Sequence, residues 1–264
     1  MHSLEGKVAI VTGAGQGIGR GIALAYAASG ATVVVADINP ETSVETQALI
    51  HARSGKAVVI PCDIAEEQSV QALVDQVIEQ FGALHILVNN AYLGNKPAAL
   101  EDKSVADFER ALRGSLYAPL AAMQRAFPHM RRQQWGRIIN LCSLNGVNAH
   151  QHSADYNVSK EALRCLTRSA AREWAVHGIT VNAICPGART PAYERYAALA
   201  PENAALLLQQ NPMGRMGDPE LDIGSVACFL ASDASRYLTG DTLFVDGGSH
   251  INGVAWQPPA RQTV

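Results

Sequence analysis

Tyr156 and Lys160 stand four residues apart in the stretch Tyr-Asn-Val-Ser-Lys, and both side chains can take part in acid–base chemistry. On a helix this spacing places them on one face, one turn apart. A nearby ammonium favours the tyrosinate and lowers a phenol pKa that is otherwise about 10, so the phenol can act as a general acid or base. Ser143, just before them, can hold a substrate oxygen in the same pocket. Taken alone, these residues also fit a surface pair and a loop serine.

A glycine-rich turn, Thr-Gly-Ala-Gly-Gln-Gly-Ile-Gly, runs from Thr12 to Gly19 between the first predicted strand and the first predicted helix. Glycines let the backbone approach a pyrophosphate, and the helix N-terminus offers N–H donors and a partial positive charge. The spacing differs from the Gly-x-Gly-x-x-Gly fingerprint. An ordinary strand-to-helix turn is the alternative, and the surrounding strand, helix and acidic residue favour phosphate binding.

That acidic residue is Asp37, at the end of the second predicted strand. An acid there accepts hydrogen bonds from an adenosine ribose and repels a 2′-phosphate. No Lys or Arg follows it directly, and Gln16 in the turn is uncharged. These residues favour NAD over NADP. The alternative is an aspartate that caps a helix or lies in a loop.

Short apolar runs alternate with longer amphipathic stretches along the whole chain. Strands separated by helices in this way predict parallel βαβ units and a Rossmann-type, doubly wound α/β sheet of about seven strands. The predicted strands are 8–12, 32–36, 57–61, 86–89, 137–141, 180–184 and 243–245. The predicted helices are 17–29, 40–53, 66–81, 104–132 with a bend near Pro119, and 154–177.

One domain, residues 1–264, accommodates this pattern. Two segments interrupt it, at 188–216 and after Asp246. Ligands of open α/β sheets bind at the carboxyl ends of the strands, and irregular insertions there usually cover a site. We therefore predict a lid at 188–216 and a C-terminal tail at 249–264.

Composition excludes several other classes of protein. The chain has 264 residues, 48% of them hydrophobic, and a net charge of −3, which argues against a nucleic-acid-binding protein. No apolar run is long enough for a membrane span. The five cysteines form no closely spaced pair, which argues against disulfides and a metal site and favours a reducing, cytoplasmic location.

Together these motifs resemble the short-chain dehydrogenase/reductase family, from about Lys7 to Gly248. The resemblance implies an oxidoreductase of this fold with a nicotinamide cofactor and a homotetrameric assembly. The motifs that carry it are Thr12–Gly19, Asp63 after the third strand, Asn89-Asn90-Ala91, Ser143 with Tyr156 and Lys160, Asn182, Pro186-Gly187 and Asp246-Gly247-Gly248.

The resemblance also implies roles for individual residues. Tyr156 would exchange a proton with the substrate oxygen, Lys160 would bind the nicotinamide ribose and tune Tyr156, and Ser143 would orient the substrate. On the adenosine side, the cofactor contacts would be Gly13, Gln16, Gly17, Ile18 and Gly19 at the phosphates, Asp37 at the ribose, and Asp63 and Ile64 at the adenine. Elsewhere, Asn89 would support the sheet, Ala91 would line the site, Pro186 and Gly187 would border the nicotinamide, and Thr190 would approach its amide.

The sequence departs from the family pattern at three places. Tyr92 stands where the family has glycine, which puts a ring beside the cofactor or pocket. Ser115 stands where the family has an asparagine that holds a water in a proton relay, and we expect its hydroxyl to keep that relay open. The stretch from Pro186 to Thr190 is one residue shorter than usual, which weakens the expected Thr190 contact.

The substrate side is less specific. His150 and His152 either line the pocket or lie in an exposed loop, and Arg189 either binds a carboxylate or is an exposed charge. An apolar lid without a dense basic pocket favours a neutral, hydrophobic or cyclic secondary alcohol or ketone. A reductase of carrier-bound oxoacyl groups, which would prefer NADPH, is a second enzymatic hypothesis. A non-catalytic NAD-binding sensor or scaffold is a third hypothesis, supported only by the missing asparagine.

Overall fold

The computed structural model describes residues 3–251 and contains a sheet of seven strands. The strand order is β3-β2-β1-β4-β5-β6-β7, and each neighbouring pair is parallel. The predicted doubly wound α/β fold is therefore confirmed. The strands are β1 Val8–Thr12, β2 Thr32–Asp37, β3 Lys56–Pro61, β4 Ile86–Asn89, β5 Gly136–Leu141, β6 Ile179–Pro186 and β7 Thr242–Val245.

Helices cover both faces of the sheet. On β2, Val33 and Val35 join the apolar cluster beneath α1, whereas Val34 joins the opposite cluster beneath α3. Strands buried on both faces are typical of parallel sheets, which explains their continuous apolar sequences. The α-helices of residues 3–251 are α1 Gly17–Ala28, α2 Pro40–Ala52, α3 Glu67–Phe81, α4 Val105–Leu112, α5 Ala118–Gln133, α6 Leu144–Asn148, α7 Ala154–Trp174, α8 Pro191–Leu199, α9 Pro201–Gln210 and α10 Ser225–Ala231.

The direction of strand addition reverses at β1, which lies between β2 and β4. Strands β2 and β3 are added on one side of β1, and strands β4 to β7 are added on its other side. Ligands of open α/β sheets bind in the crevice beside such a switch point, at the carboxyl ends of the strands. Thr12, Asp37 and Asn89 end three of these strands, so Asp37 and Asn89, both assigned to the cofactor site, lie with Thr12 at one edge.

The helix predicted over 104–132 is interrupted. A π-helical turn, Arg113–Tyr117, separates α4 from α5 just before Pro119. Proline has no N–H to donate to the carbonyl four residues back, which belongs to Ser115. Gly114 also packs closely on Leu93, since a Cβ atom at Gly114 would lie 2.7 Å from the Leu93 Cγ. The short helices α6 and α10 were not predicted from the sequence.

The segment predicted as a lid, 188–216, contains two helices, α8 and α9. Pro201 begins α9 directly after α8, and proline is favoured in the first turn of a helix. Of the predicted tail, residues 249–251 lie within the described part of the chain, and the rest lies outside it. No helix of residues 3–251 is long and apolar enough to cross a membrane.

A buried ion pair connects the segment before α4 to the first turn of α7. Lys103 Nζ lies 2.9 Å from Asp155 Oδ1, and the two side chains are 2% and 4% exposed. Lys103 also donates a hydrogen bond to the Lys96 carbonyl, and the Ala98 N–H donates to the His152 carbonyl at 3.0 Å. These contacts hold the loop after β4 against the start of α7.

Lys103→Met should lower the free energy of unfolding by about 3–5 kcal/mol, because it leaves the Asp155 carboxylate buried without its partner. Urea unfolding followed by circular dichroism at fixed protein concentration measures the loss. The double variant Lys103→Met/Asp155→Leu is the control, and it should recover much of the stability because both charges are absent. A loss below about 1 kcal/mol in the single variant, typical of exposed pairs, would contradict this prediction.

Candidate active site

The glycine-rich turn forms a backbone cradle between β1 and α1. Gly13 and Gly17 have φ values of +65° and +57°, in the left-handed region that favours glycine. A Cβ atom on Gly13 would lie 2.9 Å from the Ala91 Cα, and one on Gly19 would overlap the Gly13 carbonyl. Side chains at Gly13 and Gly19 would therefore collide with neighbouring backbone, so the tight turn needs glycine there. The turn leads into the N-terminus of α1, where N–H groups can bind a dinucleotide phosphate.

Hydrogen bonds of Thr12 connect this cradle to the end of β4. Its hydroxyl donates to the Val88 carbonyl at 3.1 Å and accepts from the N–H groups of Asn90 and Ala91 at 3.0 and 3.1 Å. The Asn90 amide in turn donates to the Thr12 carbonyl at 2.8 Å. Thr12 and Asn90 belong to motifs that carry the family resemblance, but no individual role was predicted for either of them. Both are polar residues at the ends of apolar strands beside the switch point.

Both oxygens of the Asp37 carboxylate are held by backbone N–H groups. Oδ2 accepts from Gly15 at 2.9 Å, and Oδ1 accepts from Asn39 at 3.0 Å. Any Cβ atom on Gly15 would lie 2.9 Å from Asp37 Oδ2, so this contact also requires glycine. The negative charge at the end of β2 is therefore fixed in position beside the turn.

A cavity of about 410 Å³ opens between the cradle and Asp37. Asp63 and Ile64 form its far wall, and Asp63 Oδ1 accepts from the Ala65 N–H at 2.8 Å. Among the described residues that line this cavity there are two aspartates and no Lys or Arg. Those lining residues are Gly13, Gln16, Asp37, Ile38, Asn39, Thr42, Cys62, Asp63, Ile64, Asn90, Ala91, Tyr92 and Leu93.

Asn89 and Ile18, two other residues assigned to the cofactor site, lie outside that lining. Asn89 is buried and donates to Asn140 Oδ1 at 2.8 Å, and Asn140 donates to Thr167 Oγ1 at 2.8 Å. This chain of bonds links β4, β5 and α7. The Ile18 side chain packs against the apolar cluster beneath α1, so its backbone position in the turn is what brings it near the cradle.

Ser143, Tyr156 and Lys160 come together beyond the ends of β5 and β6. Ser143 caps the N-terminus of α6, where its hydroxyl accepts from the Asn145 N–H at 3.1 Å, and it forms a hydrogen bond to Tyr156. Lys160 is 4% exposed, and its Nζ donates to the Leu141 carbonyl at 2.7 Å. Its Nζ lies 5.7 Å from the centroid of the Tyr156 ring.

Burial dominates the proton equilibria of this cluster. It raises the pKa of the Tyr156 phenol above its ordinary value, and the hydrogen bond from Ser143 opposes the rise. Burial also lowers the pKa of Lys160. The sequence suggested that Lys160 would lower the pKa of Tyr156. The direction of the Tyr156 pKa shift in this structure is the opposite, because burial withdraws both groups from water. The Lys160 ammonium binds the Leu141 carbonyl.

Ser115 lies in the π-helical turn between α4 and α5. It is 1% exposed, and its Oγ has no hydrogen-bond partner among residues 3–251. A buried hydroxyl without a partner is costly, and its presence is often connected with function. The π-helical turn that holds Ser115 packs against α7, the helix that carries Tyr156 and Lys160.

The remaining nicotinamide-side residues follow β6. The Gly187 N–H donates to the Val245 carbonyl at 2.8 Å, and a Cβ atom on Gly187 would lie 3.0 Å from the Asp246 Cα. Pro186 and Gly187 are thus supported by the end of β7. Thr190 caps α8 by accepting from the Tyr193 N–H at 3.2 Å, and it lies 3.6 Å from a Cβ atom placed on Gly17. The structure therefore places Thr190 over the glycine-rich turn.

The three residues suggested for substrate contact are exposed in the structure. His150 and His152 lie in the loop before α7, where His152 has a φ of +61°. Arg189 forms an exposed ion pair with Glu194 at 3.1 Å, and it borders a separate cavity of about 780 Å³ beneath the lid helices. Neither histidine lines the cofactor cavity or the lid cavity.

The glycine cradle, the fixed acid at the end of β2 and the Ser–Tyr–Lys cluster fit a nicotinamide dinucleotide. The cradle offers space and N–H donors to phosphates, and Asp37 offers an acceptor to a ribose hydroxyl. The cluster offers a phenol for proton transfer beside it. The fold and the site therefore define a dinucleotide-dependent oxidoreductase.

Comparison with known proteins gives the family. A family model described as enoyl-(acyl carrier protein) reductase matches residues 13–250. The chain is 36% identical to a 12alpha-hydroxysteroid dehydrogenase of Clostridium sp., with 94% of this chain and 98% of that protein covered. It is 37% identical to a 3-oxoacyl-[acyl-carrier-protein] reductase of Staphylococcus aureus, with 93% and 98% covered. The chain belongs to the short-chain dehydrogenase/reductase family.

A solved structure from Beutenbergia cavernae, described as an NAD(P)-dependent gluconate 5-dehydrogenase with bound NADP, has a TM-score of 0.88 to this structure. The two are 34% identical, with 95% of this chain and 99% of that chain covered. These relatives support an NAD(P)-dependent oxidoreductase that acts on alcohols or ketones.

Ser115→Ala should lower kcat by about tenfold or more while leaving NAD affinity nearly unchanged, because it removes a hydroxyl able to relay a proton. Initial rates across pH, with chemistry rate-limiting, and a fluorescence titration with NADH give the two quantities. Ser115→Thr keeps a hydroxyl in the buried turn and is the control. An alanine variant with unaltered kcat at every pH would exclude this side chain from proton transfer.

Proposed function

We propose that this chain is an NAD-dependent oxidoreductase that interconverts a secondary alcohol and its ketone. The observation that carries the proposal is the cluster of Ser143, Tyr156 and Lys160 beside a glycine cradle. When bound, NADH would supply a hydride to the ketone, and NAD+ would accept one from the alcohol. The cradle of Gly13, Gly17 and Gly19 would hold the phosphates.

Ser143 and Tyr156 would handle the substrate oxygen. The Ser143 hydroxyl both donates and accepts, so it can hold a carbonyl or a hydroxyl oxygen beside the Tyr156 phenol. In ketone reduction the phenol donates its proton to that oxygen, and in alcohol oxidation the phenolate accepts it. Because the pKa of Tyr156 is raised, the phenol of the free protein retains its proton at neutral pH and starts in the acid form.

Lys160 and Ser115 would connect Tyr156 to solvent. The Lys160 ammonium can bind a ribose hydroxyl of the cofactor while it keeps its bond to the Leu141 carbonyl, since an ammonium has three donors. Ser115 lies on the π-helical turn that packs against α7, and its hydroxyl can both donate and accept. This arrangement supports a role for Ser115 in place of the family asparagine.

The lid favours a neutral, hydrophobic or cyclic substrate. Its cavity of about 780 Å³ is lined largely by apolar side chains. Its two arginines are already paired, Arg189 with Glu194 and Arg215 with Asp222, so neither offers a free cation to a phosphorylated substrate. The apolar part of the lining is Tyr193, Ala197, Pro201, Ala204, Ala205, Leu208 and Met216.

Reduction of a carrier-bound oxoacyl group is the second candidate. The family model and the Staphylococcus aureus relative favour it, and a preference for NADPH would support it. The two aspartates in the cofactor cavity argue against that preference, since both repel a 2′-phosphate. A non-catalytic sensor or scaffold is a weaker candidate, because Ser143, Tyr156 and Lys160 are all in place.

We also propose a homotetramer of identical cytoplasmic subunits that binds small molecules. Val105, Tyr117 and Val158 on the α4–α5 and α7 helices are exposed hydrophobic residues. Exposed apolar side chains on neighbouring helices are typical of surfaces that other subunits cover. The cysteines within residues 3–251 are free thiols, as expected in a reducing compartment.

Tyr156→Phe should retain NAD binding and lower kcat by about 10²–10⁴-fold, because it removes the oxygen that exchanges the proton and leaves the ring. A panel of cyclic and linear secondary alcohols, followed by NADH absorbance, measures turnover. Tyr237→Phe, at a fully exposed tyrosine, is the control. Near-wild-type kcat in Tyr156→Phe would contradict the mechanism, and an inactive wild type across the panel would favour the sensor.

Asp37 should determine the choice of cofactor. The wild type should prefer NAD in kcat/KM, and Asp37→Ala should weaken NAD binding and reduce discrimination against NADP by roughly tenfold or more, because the repulsive charge is lost. Glu41→Ala removes an exposed acid of the neighbouring helix and is the matched control. A wild-type enzyme that prefers NADP would show that the Asp37 assignment is wrong.

A further inference from the structure

Tyr92 contacts the catalytic cluster, yet the proposed reaction gives it no role. It follows Ala91 at the carboxyl end of β4, in place of the glycine expected from the family pattern. Its ring packs against the ring of Tyr156, with centroids 5.0 Å apart and planes inclined by 67°. This edge-to-face geometry is one that aromatic pairs prefer. The Tyr156 ring is therefore held in place by a contact from the loop that follows β4.

The same ring also faces the lysine of the cluster. Lys160 Nζ lies 5.7 Å from the centroid of the Tyr92 ring and 5.7 Å from that of Tyr156. Both distances are within the range of cation–π attraction. With its bond to the Leu141 carbonyl, the ammonium is thus enclosed by two aromatic rings and one backbone oxygen.

Tyr92 separates this cluster from the open cavity. It is 37% exposed and lines the cofactor cavity beside Ala91 and Leu93, whereas Lys160 is 4% exposed. The loop is held in place by Arg110, whose Nη2 donates to the Leu93 carbonyl at 2.7 Å. Loss of the ring would open a route for water from the cavity to the ammonium.

We propose that Tyr92 is a positioning residue for proton transfer: its ring fixes the orientation of Tyr156 and shields Lys160 from water. The ring of Tyr92, and not its hydroxyl, has this role, because the contacts with Tyr156 and Lys160 are both made through the ring. This chain would therefore need an aromatic side chain where its family has glycine. The kinetic part of this proposal rests on the proposed oxidoreductase function, and the shielding part does not.

The groups that face the Lys160 ammonium come from several elements. Tyr156 lies one turn before it on α7, and Tyr92 faces it from the loop after β4. The thiols of Cys142, after β5, and Cys185, on β6, are the other titratable groups that act on it. Burial raises the pKa of both thiols to about 12, so they stay neutral through the working range and water access governs the response.

Shielding is tested first, without any substrate. The chain has five lysines, so protein labelled with [13Cε]lysine gives few signals, and Lys160→Met assigns the one from Lys160. Titration of the cofactor-free protein should show that Tyr92→Gly raises the Lys160 pKa by roughly half a unit or more, because hydration favours the charged form more strongly than the weak attraction of a ring whose centroid is 5.7 Å away. Tyr92→Phe should leave it unchanged. An equal Lys160 pKa in the wild type and in Tyr92→Gly would overturn the proposal.

Positioning is tested by kinetics with NAD and the best alcohol of the panel. Tyr92→Gly should lower kcat roughly three- to tenfold and shift the pH midpoint of kcat, as expected for loss of an aromatic pair. Tyr92→Phe should remain within about twofold of the wild type, and Tyr237→Gly controls for loss of an exposed tyrosine. Equal damage by Tyr92→Phe, or a wild-type pH profile in Tyr92→Gly, would overturn the proposal.

Two further results separate the possible failures. If Tyr92→Gly does not fold, by circular dichroism, Tyr92→Leu replaces it and should show the same directions of change with smaller size. A Lys160 signal that shifts in an enzyme without activity on the panel would refute the proposed function and support the shielding. Normal activity with no change in either variant would refute the role of Tyr92 and leave the proposed function standing.

Discussion

The hydrogen bonds of one hydroxyl, that of Thr12, join the glycine-rich turn after β1 to the end of β4. At the switch point, crossovers on opposite faces leave a crevice between β1 and β4, and its walls carry backbone groups that need partners. Thr12 satisfies three of them, at Val88, Asn90 and Ala91. Because a Cβ atom on the next residue, Gly13, would meet Ala91, the cradle can approach this wall only as glycine.

Burial determines the chemistry of the cluster formed by Ser143, Tyr156 and Lys160. A phenol and an ammonium withdrawn from water both favour their neutral forms, which explains the opposite pKa shifts of Tyr156 and Lys160. The charged form of Lys160 is supported by the Leu141 carbonyl. A cluster that depends on so few polar contacts is sensitive to water. Exclusion of water from this cluster is the role that we propose for the Tyr92 ring, which packs against Tyr156.

The sheet could be predicted because each of its strands is a continuous apolar run. The tendency of such a run to form a buried strand depends little on the rest of the sequence. The turn from Gly13 and the acid at Asp37 could be placed because strand ends converge at a switch point. The π-helical turn at Ser115 could not be predicted, since it is associated with close packing of Gly114 on Leu93 in the loop after β4. The direction of the Tyr156 pKa shift was also beyond reach, because it depends on burial and on where Lys160 finds its acceptor.

The two edges of the sheet use polar residues differently. At the amino edge, Lys7 and Arg137 lie 3.9 and 4.2 Å from the centre of the Trp135 ring, and His85 Nδ1 accepts from the Val8 N–H. Those groups satisfy one another and close the edge. At the carboxyl edge, Ser115 Oγ is buried without a partner among the described residues. Unsatisfied polar atoms are costly, and this hydroxyl lies on a turn that packs against α7, the helix of Tyr156, so it is the physical mark of a site built to bind something else.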